Sequence, residues 1–139
     1  MPVFASEQDV YDHLGVLLEE MCDDPVLGPQ WRRADTIVQF RTFDPDSRCT
    51  VDLRADSEPR VYLGDDGDLE PELILTMAAD TAHRFFLGGV CFTVALARGE
   101  IRAEGPVGKI LKLVPLVKPF YPRYRALVEA EGRPELVPA

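Results

Sequence analysis

The side chains able to do chemistry in this chain are few and scattered. His13 lies in an acidic helical pattern, "EQDVYDHLGVLLEE", and His83 far downstream in "DTAHRFF". A metal centre or a histidine-based acid–base pair needs further ligands or a partner group at a workable spacing. Neither histidine has one nearby in sequence, so both are expected at the surface. The three cysteines, Cys22, Cys49 and Cys91, are odd in number and far apart, with no CxxC pair. That supports neither a zinc knuckle nor a thioredoxin-type site and leaves reduced, buried thiols as the expectation. Asp65, Asp66 and Asp68 in "GDDGD" lack the longer ligand series, closed by a glutamate, that a calcium loop requires. They read as a solvated turn. Gly99, Gly105 and Gly108 miss the spacing of a dinucleotide fingerprint. No GxSxG, no Cys–His–Asn arrangement and no carboxylate pair appears. The expectation is a chain with no catalytic centre, no metal and no cofactor.

What the sequence concentrates instead is apolar surface. Val94 to Tyr121 reads "VALARGEIRAEGPVGKILKLVPLVKPFY", two greasy segments flanking a short alternating one. Phe85, Phe86, Val90, Phe92, Val94, Ile110, Leu113, Val117 and Phe120 lie in or beside it and form the candidate ligand-binding set. Such residues fill ordinary cores. They equally line a pocket for an apolar ligand, where each buried methylene is worth about 0.8 kcal/mol and no catalytic group is needed. Lys109, Lys112, Lys118, Arg123 and Arg125 occupy a stretch without acids. Cations beside apolar residues suit a membrane surface or a ligand's acidic headgroup, or simply form a solvated helix face.

Recognisable elements must position these residues. Ser6 with Asp9 three places on marks a helix start, a variant of the capping box. Val10, Leu14, Leu17, Leu18 and Met21 then recur at helical spacing. Asp24 and Pro25 open a second helix reaching about Arg33. In "DTIVQFRTF" and "RCTVDLRAD" apolar and polar residues alternate, two half-buried strands joined by the turn "DPDS". "PRVYLG" and "PELILTMAAD" supply two more strands, and short connections imply antiparallel pairing. Asp80 is expected to cap a helix that stops at Gly88 or Gly89. "VCFTVALARG" is ambiguous between strand and helix, and "GEIRAEG" is a fifth strand. A helix starts near Pro106, and Pro115, Pro119 and Pro122 are expected to break its continuation into short pieces. The last helix is expected from Pro122 to Gly132.

Length and composition bound the answer. A chain of 139 residues, 46% of them hydrophobic, is expected to form one domain with an ordinary core. Fifteen basic against 24 acidic residues give a net charge of -9, which argues against nucleic acid as a partner. The start, "MPVFASEQDVYDHLG", shows no basic leader followed by an apolar run. The longest uncharged stretch, Phe85 to Ala97, falls short of the ~20 residues that cross a bilayer. A cytoplasmic location is expected.

The order of elements and the wording of "TAHRFFLGGVCFTVALARGEIRAEGPVGKILKL" resemble the sterol carrier protein 2 family, from Ser6 to about Leu127. The matching parts are a helix with a glycine turn (Asp80 to Gly89), a short helix (Val90 to Arg98), a G-x-I-x-x-x-G strand (Gly99 to Gly105) and an amphipathic helix (Pro106 to Val114). The resemblance implies an α+β fold, a five-stranded, mainly antiparallel sheet with helices covering one face. It also implies an elongated apolar cavity for a fatty acid, acyl-CoA, sterol or phospholipid, and it resolves the ambiguous segment after Gly89 as helix. The chain ends "ELVPA", without the family's peroxisomal address, so a peroxisomal role is not expected. The functional expectation is non-catalytic binding and transfer of a hydrophobic ligand, with transient membrane contact open. The alternative is an accessory or dimerisation module, as a homodimer, of a lipid- or steroid-related enzyme system. A cavity on the order of 300 Å³ or more is expected beside Phe85 to Val94 and Ile110 to Val117. The segment from Pro115 to Pro122 is its expected gate.

Overall fold

The computed structural model describes residues 4–56, 58–64 and 69–130. The chain enters through α1 (Glu7–Val10), a π-helical turn (Tyr11–Gly15) and α2 (Val16–Asp23). The Ser6 hydroxyl accepts from the Asp9 N–H at 3.2 Å, as the capping pattern predicts. The reciprocal bond reaches one residue further back: the Asp9 carboxylate accepts from the Ala5 N–H at 2.9 Å. Within the π turn, Gly15 lets the helix approach the sheet, since a Cβ there would stand 2.8 Å from Leu63. The Asp24 carboxylate accepts the N–H groups of Val26 and Leu27 and so opens α3 (Leu27–Arg32). Those two bonds, with Arg123 beside it, hold this carboxyl below its ordinary pKa.

The sheet comprises β1 (Ile37–Phe43), β2 (Ser47–Asp52), β3 (Arg60–Leu63), β4 (Leu73–Ala78) and β5 (Ile101–Glu104). Its order is β3-β2-β1-β4-β5. The first three strands form the expected antiparallel meander, with Val38 opposite Val51 and Val51 opposite Val61. β4 departs from the expectation. It does not pair with β3 but lies parallel to β1, with Val38 beside Leu73 and Phe40 beside Leu75. A parallel pair needs a long crossover, and here the β2–β3 excursion is part of that crossover. β5 closes the sheet antiparallel to β4, Met77 opposite Ile101. The architecture is thus α+β with a mixed, mostly antiparallel five-stranded sheet.

The core draws its strand residues from one face of the sheet. Val38, Val51, Leu75, Met77 and Ile101 belong to one buried cluster with the inner faces of the helices. α4 (Ala79–Phe86) follows β4 directly. Its N-cap is Ala78, without a side-chain bond, so Asp80 lies inside the first turn rather than capping it. The Gly88 stop is as expected: φ is +87°, and the N–H groups of Gly88 and Gly89 bond back to Phe85 and Arg84. The ambiguous segment is helical, α5 (Phe92–Arg98), closed by Gly99 in the left-handed region.

α6 (Val107–Val117) runs through Pro115 without ending there. The break comes three residues later, at a 3-10 turn (Lys118–Phe120) that leads into α7 (Tyr121–Ala130). The expectation of a break at Pro115 is therefore corrected. Proline in a helix interior forfeits one backbone bond, yet the apolar face of α6 is held by burial of Ile110, Leu113 and Val117. Pro119 stands near the start of its segment, where an N–H has no intrahelical partner to lose. The "GDDGD" turn and the Gly132 stop lie outside the described residues.

Candidate functional site

Between the inner face of the sheet and helices α4, α5 and α6 runs a narrow apolar seam. β1 contributes Val38 and Phe40, β4 Leu75 and Met77, and β5 Ile101. The alternation of each strand puts these residues on one face. From the helices come Phe85 on α4, Phe92 on α5, and Ile110, Leu113, Val114 and Val117 on α6. The α6 residues recur at helical spacing, so one stripe faces the sheet. Trp31 on α3 completes the lining. The enclosed volume is about 20 Å³, room for one water molecule and far below the expected cavity. Large side chains interdigitate across the seam and fill it.

The structure divides the nine candidate residues. Phe85, Phe92, Ile110, Leu113 and Val117 meet around the seam. Phe86 is buried beside it, its ring edge-on to Phe40, Phe85 and Tyr124. Phe120 is fully buried, under the Arg123 guanidinium. Val90 packs on the margin of the core, and Val94 is exposed on the outer side of α5. Trp31, from a helix distant in sequence, and the strand residues were missed. The alternation of β1, β4 and β5 carried the signal for the strand residues, but nothing local marks Trp31.

Leu113 also lines a second space. A surface groove of about 220 Å³ between α3 and α6 is bounded by Gln30, Arg33, Ala34, Lys112, Leu113 and Leu116. One leucine side chain thus borders both the buried seam and a groove flanked by two cations. The N-terminal end of α6 is clipped to the sheet. Lys109 Nζ donates to Glu72 at 2.8 Å and to the Asp35 carbonyl at 3.2 Å, and the Thr36 hydroxyl donates to the same carboxylate oxygen. Lys109 first, then Thr36, holds the Glu72 carboxyl below its ordinary range.

Both histidines are buried, not at the surface as expected. His13 Nδ1 stands 2.7 Å from the Asp9 carbonyl, and His83 Nδ1 2.7 Å from the Tyr124 hydroxyl. The Phe4 ring sits between the two imidazoles, with centroids 5.5 and 5.3 Å away. This cluster joins the start of the chain to α7. The cysteines are free, but only Cys49 is fully buried. Burial pushes the thiols of Cys22 and Cys49 up to about 12. Cys91 is exposed, against expectation, because it precedes α5 on the outside of the fold. The Thr93 hydroxyl lowers its pKa. Among the described residues no group of three or more His, Cys, Asp or Glu could hold a metal ion, and no helix is long and apolar enough to cross a membrane. Of the basic residues after Gly105, Lys109 is engaged with Glu72 and Arg123 with Asp24 at 2.9 Å, while Lys112 and Lys118 are exposed on or just after α6.

No family model matches the chain, and no curated protein is significantly similar in sequence. Solved structures are similar in fold. The sterol carrier protein domain 2 of Helicoverpa armigera superposes with a TM-score of 0.65 at 18% identity, covering 81% of this chain and 88% of its own. Sterol carrier protein 2 of Yarrowia lipolytica, in its apo form, gives 0.63 at 17% identity over 76% and 87%. Sterol carrier protein 2 of Aedes aegypti, in complex with the C16 fatty acid palmitate, gives 0.53 at 22% identity over 82% and 96%. The chain has the sterol carrier protein 2 fold.

Proposed function

We propose that this protein binds a chain-like lipid in the seam beneath α5 and α6 and releases it again, without catalysing a reaction on it. The observation that carries this reading is the lining: twelve side chains from seven elements, none of them charged, converge on one seam. A solid core uses the same residue types. Two further features favour a core that opens. Pro115 removes a backbone bond from the helix that covers the seam. Leu113 alone borders both the seam and the groove outside. At about 20 Å³ the seam is in its closed form, and a lipid chain would enter by moving α6 away from the sheet.

Such an opening exchanges apolar contacts between helix and sheet for apolar contacts with the ligand, so little hydrocarbon meets water. Ten buried methylenes would contribute roughly 8 kcal/mol, near micromolar affinity before ordering costs. The palmitate complex of the Aedes aegypti protein supports a fatty acyl chain as the first ligand to test on this fold. Exposed Leu111, with Lys112 and Lys118, would bring the same region to an anionic membrane surface during transfer.

Native mass spectrometry after incubation with palmitate tests the reading. The expected result is a one-to-one complex, with α6 amides exchanging hydrogen more slowly than in the free protein. A bare chain with no mass gain from palmitate, cholesterol or phosphatidylcholine would overturn it. A bare dimer would point instead to an assembly module.

A further inference from the structure

The sheet face turned away from the seam carries a row of arginines. Val38, Met77 and Ile101 line the core, so strand alternation puts Arg41, Thr76 and Arg102 on the other face, with Arg48 beside them. The register aligns them: Arg48 on β2 lies opposite Arg41 on β1, Arg41 beside Thr76 on β4, and Thr76 opposite Arg102 on β5. All three arginines are exposed. Like charges directly opposite each other weaken a sheet, so Arg41 facing Arg48 needs another reason. Two of the guanidiniums are held by their Nε groups. Arg41 Nε donates to Gln39 Oε1, and buried Gln39 in turn donates through Nε2 to buried Thr50 at 3.0 Å. Arg48 Nε donates to the Gly64 carbonyl at 3.0 Å. Acids outnumber bases 24 to 15 in this chain. Yet among the described residues none of the three arginines forms an ion pair, not even with Glu104 on the same face.

The complementary surface is on the chain itself. Leu17, Leu18 and Met21 turn α2 toward the core on the inner side of the sheet. Its outer side carries Asp12, Val16, Glu19 and Asp23, all exposed and spaced at four, three and four residues, one helical stripe that starts in the π turn. Among the described residues none of these three acids forms an ion pair. We infer that the arginine row of one copy receives this stripe of a second copy of the chain. The spacings agree. Neighbouring strands are about 4.8 Å apart, so Arg48 and Arg41 stand about 5 Å apart and Arg41 and Arg102 about 10 Å. A helix rises about 1.5 Å per residue, so Asp23 and Glu19 stand about 6 Å apart and Glu19 and Asp12 about 10 Å. Laid across the strands, Asp23 meets Arg48, Glu19 meets Arg41 and Asp12 meets Arg102. Val16, 36% exposed, falls over the uncharged gap at Thr76. Guanidinium suits this role, because its planar fork matches a carboxylate. The two surfaces lie on opposite sides of the molecule, so the contact is head-to-tail and leaves a free face at each end. It uses neither Lys112 nor Lys118, and it holds whether or not the seam takes a lipid.

A charge swap read by analytical ultracentrifugation tests the pairing. The salt is set at about 0.1 M, where the screening length of about 10 Å leaves contact pairs attractive while damping repulsion between the net charges of two copies. Exposed ion pairs are individually weak, so the parent should be a single chain at micromolar concentration and associate only toward about 1 mM. Arg41→Glu with Arg102→Glu should lower the association constant about tenfold or more, and so should Asp12→Arg with Glu19→Arg. An equimolar mixture of the two double variants should associate again, within about threefold of the parent, because the reversed sheet face meets the reversed stripe. Should Arg41→Glu fold poorly for want of its bond to Gln39, the swap of Arg102→Glu against Asp12→Arg reads the same loss and rescue on two exposed positions. A parent that stays a single chain at 1 mM would overturn the inference. So would association that neither double variant weakens, or a mixture that fails to recover it. Phosphatidylserine vesicles that bind the parent through these arginines, with no self-association, would give the face to a membrane and overturn it likewise.

Discussion

Gly105 has φ +107°, and a Cβ there would lie 2.1 Å from the Glu72 carbonyl oxygen. The neighbour is backbone, so neither strain can relax cheaply. Gly105→Ala should lose about 3 kcal/mol, a fall of roughly 10 °C in Tm by thermal denaturation. Gly108→Ala is the control: it lies within α6 with open space around it and should be neutral or stabilising by up to about 1 kcal/mol. Asp52 is buried and accepts two bonds from the Arg54 guanidinium, at 2.9 and 2.8 Å. Those bonds hold its carboxyl below the ordinary range, against the opposing effect of burial. A depressed pKa in the folded state contributes stability that is present above the unfolded value, about 3.9, and is lost as pH falls through the folded one. Asp52→Asn should therefore be less stable than the parent at pH 7, with the gap closing as pH falls below about 4. Denaturant midpoints measured from pH 7 to 3 would show it, and a gap independent of pH would contradict it. Local chemistry of this kind was legible: the Ser6 cap, the Asp24 cap and the Gly88 stop each depend on neighbours within a few residues. The burial of His13 and His83 was not, because it depends on Phe4 and Tyr124 arriving from the two ends of the chain.

Among the elements, α6 is the one that the proposed opening of the seam would move. Its first turn is tied to Glu72 and Asp35 through Lys109, and its apolar stripe lies on the sheet. Pro115 interrupts its hydrogen-bond ladder near the far end. An α6 that pivots from its clipped end should depend on that missing bond. Pro115→Ala restores the N–H and should raise Tm by several degrees, since proline in a helix interior is about 3 kcal/mol worse than alanine before tertiary context is counted. It should also slow palmitate release severalfold in stopped-flow transfer to acceptor vesicles. A faster release in the stabilised variant would exclude α6 as the moving part. The helical character of α6 was readable from its periodicity. Its continuation through Pro115 was not, because packing of Ile110, Leu113 and Val117 outweighs the proline penalty.

For the molecule as a whole, the charge is -9, yet Lys112 and Lys118 project beside exposed Leu111. An acidic protein approaching an anionic membrane needs a local surface of the opposite sign. Lys112→Glu with Lys118→Glu should slow palmitate transfer to vesicles rich in phosphatidylserine by about thirtyfold, as roughly 1 kcal/mol is at stake for each cation. Transfer to neutral vesicles should change little, and the salt dependence on anionic ones should weaken. Arg123 is left in place because it bridges Asp24 at 2.9 Å and covers Phe120, so its loss would perturb the fold. Equal rates for parent and double variant on anionic vesicles would show these lysines to be only a solvated face.

By itself the sequence determined the local structure and the fold class. Caps, turns and strand alternation are short-range signals that mark five strands and most of the helices, while the α+β class and the helix after Gly89 followed from the resemblance carried by the run from Asp80 to Gly105. Tertiary structure alone decided three things. It placed β4 parallel to β1, because strand pairing depends on which apolar faces can share one core rather than on the order of strands in the chain. It brought Trp31 and the strand residues against Phe85, Phe92 and α6, because a lining is made of side chains distant in sequence. It also set the volume of the seam at about 20 Å³. Residue types specify how much apolar surface must be buried, but only the packing of helix on sheet fixes how much space is left between them.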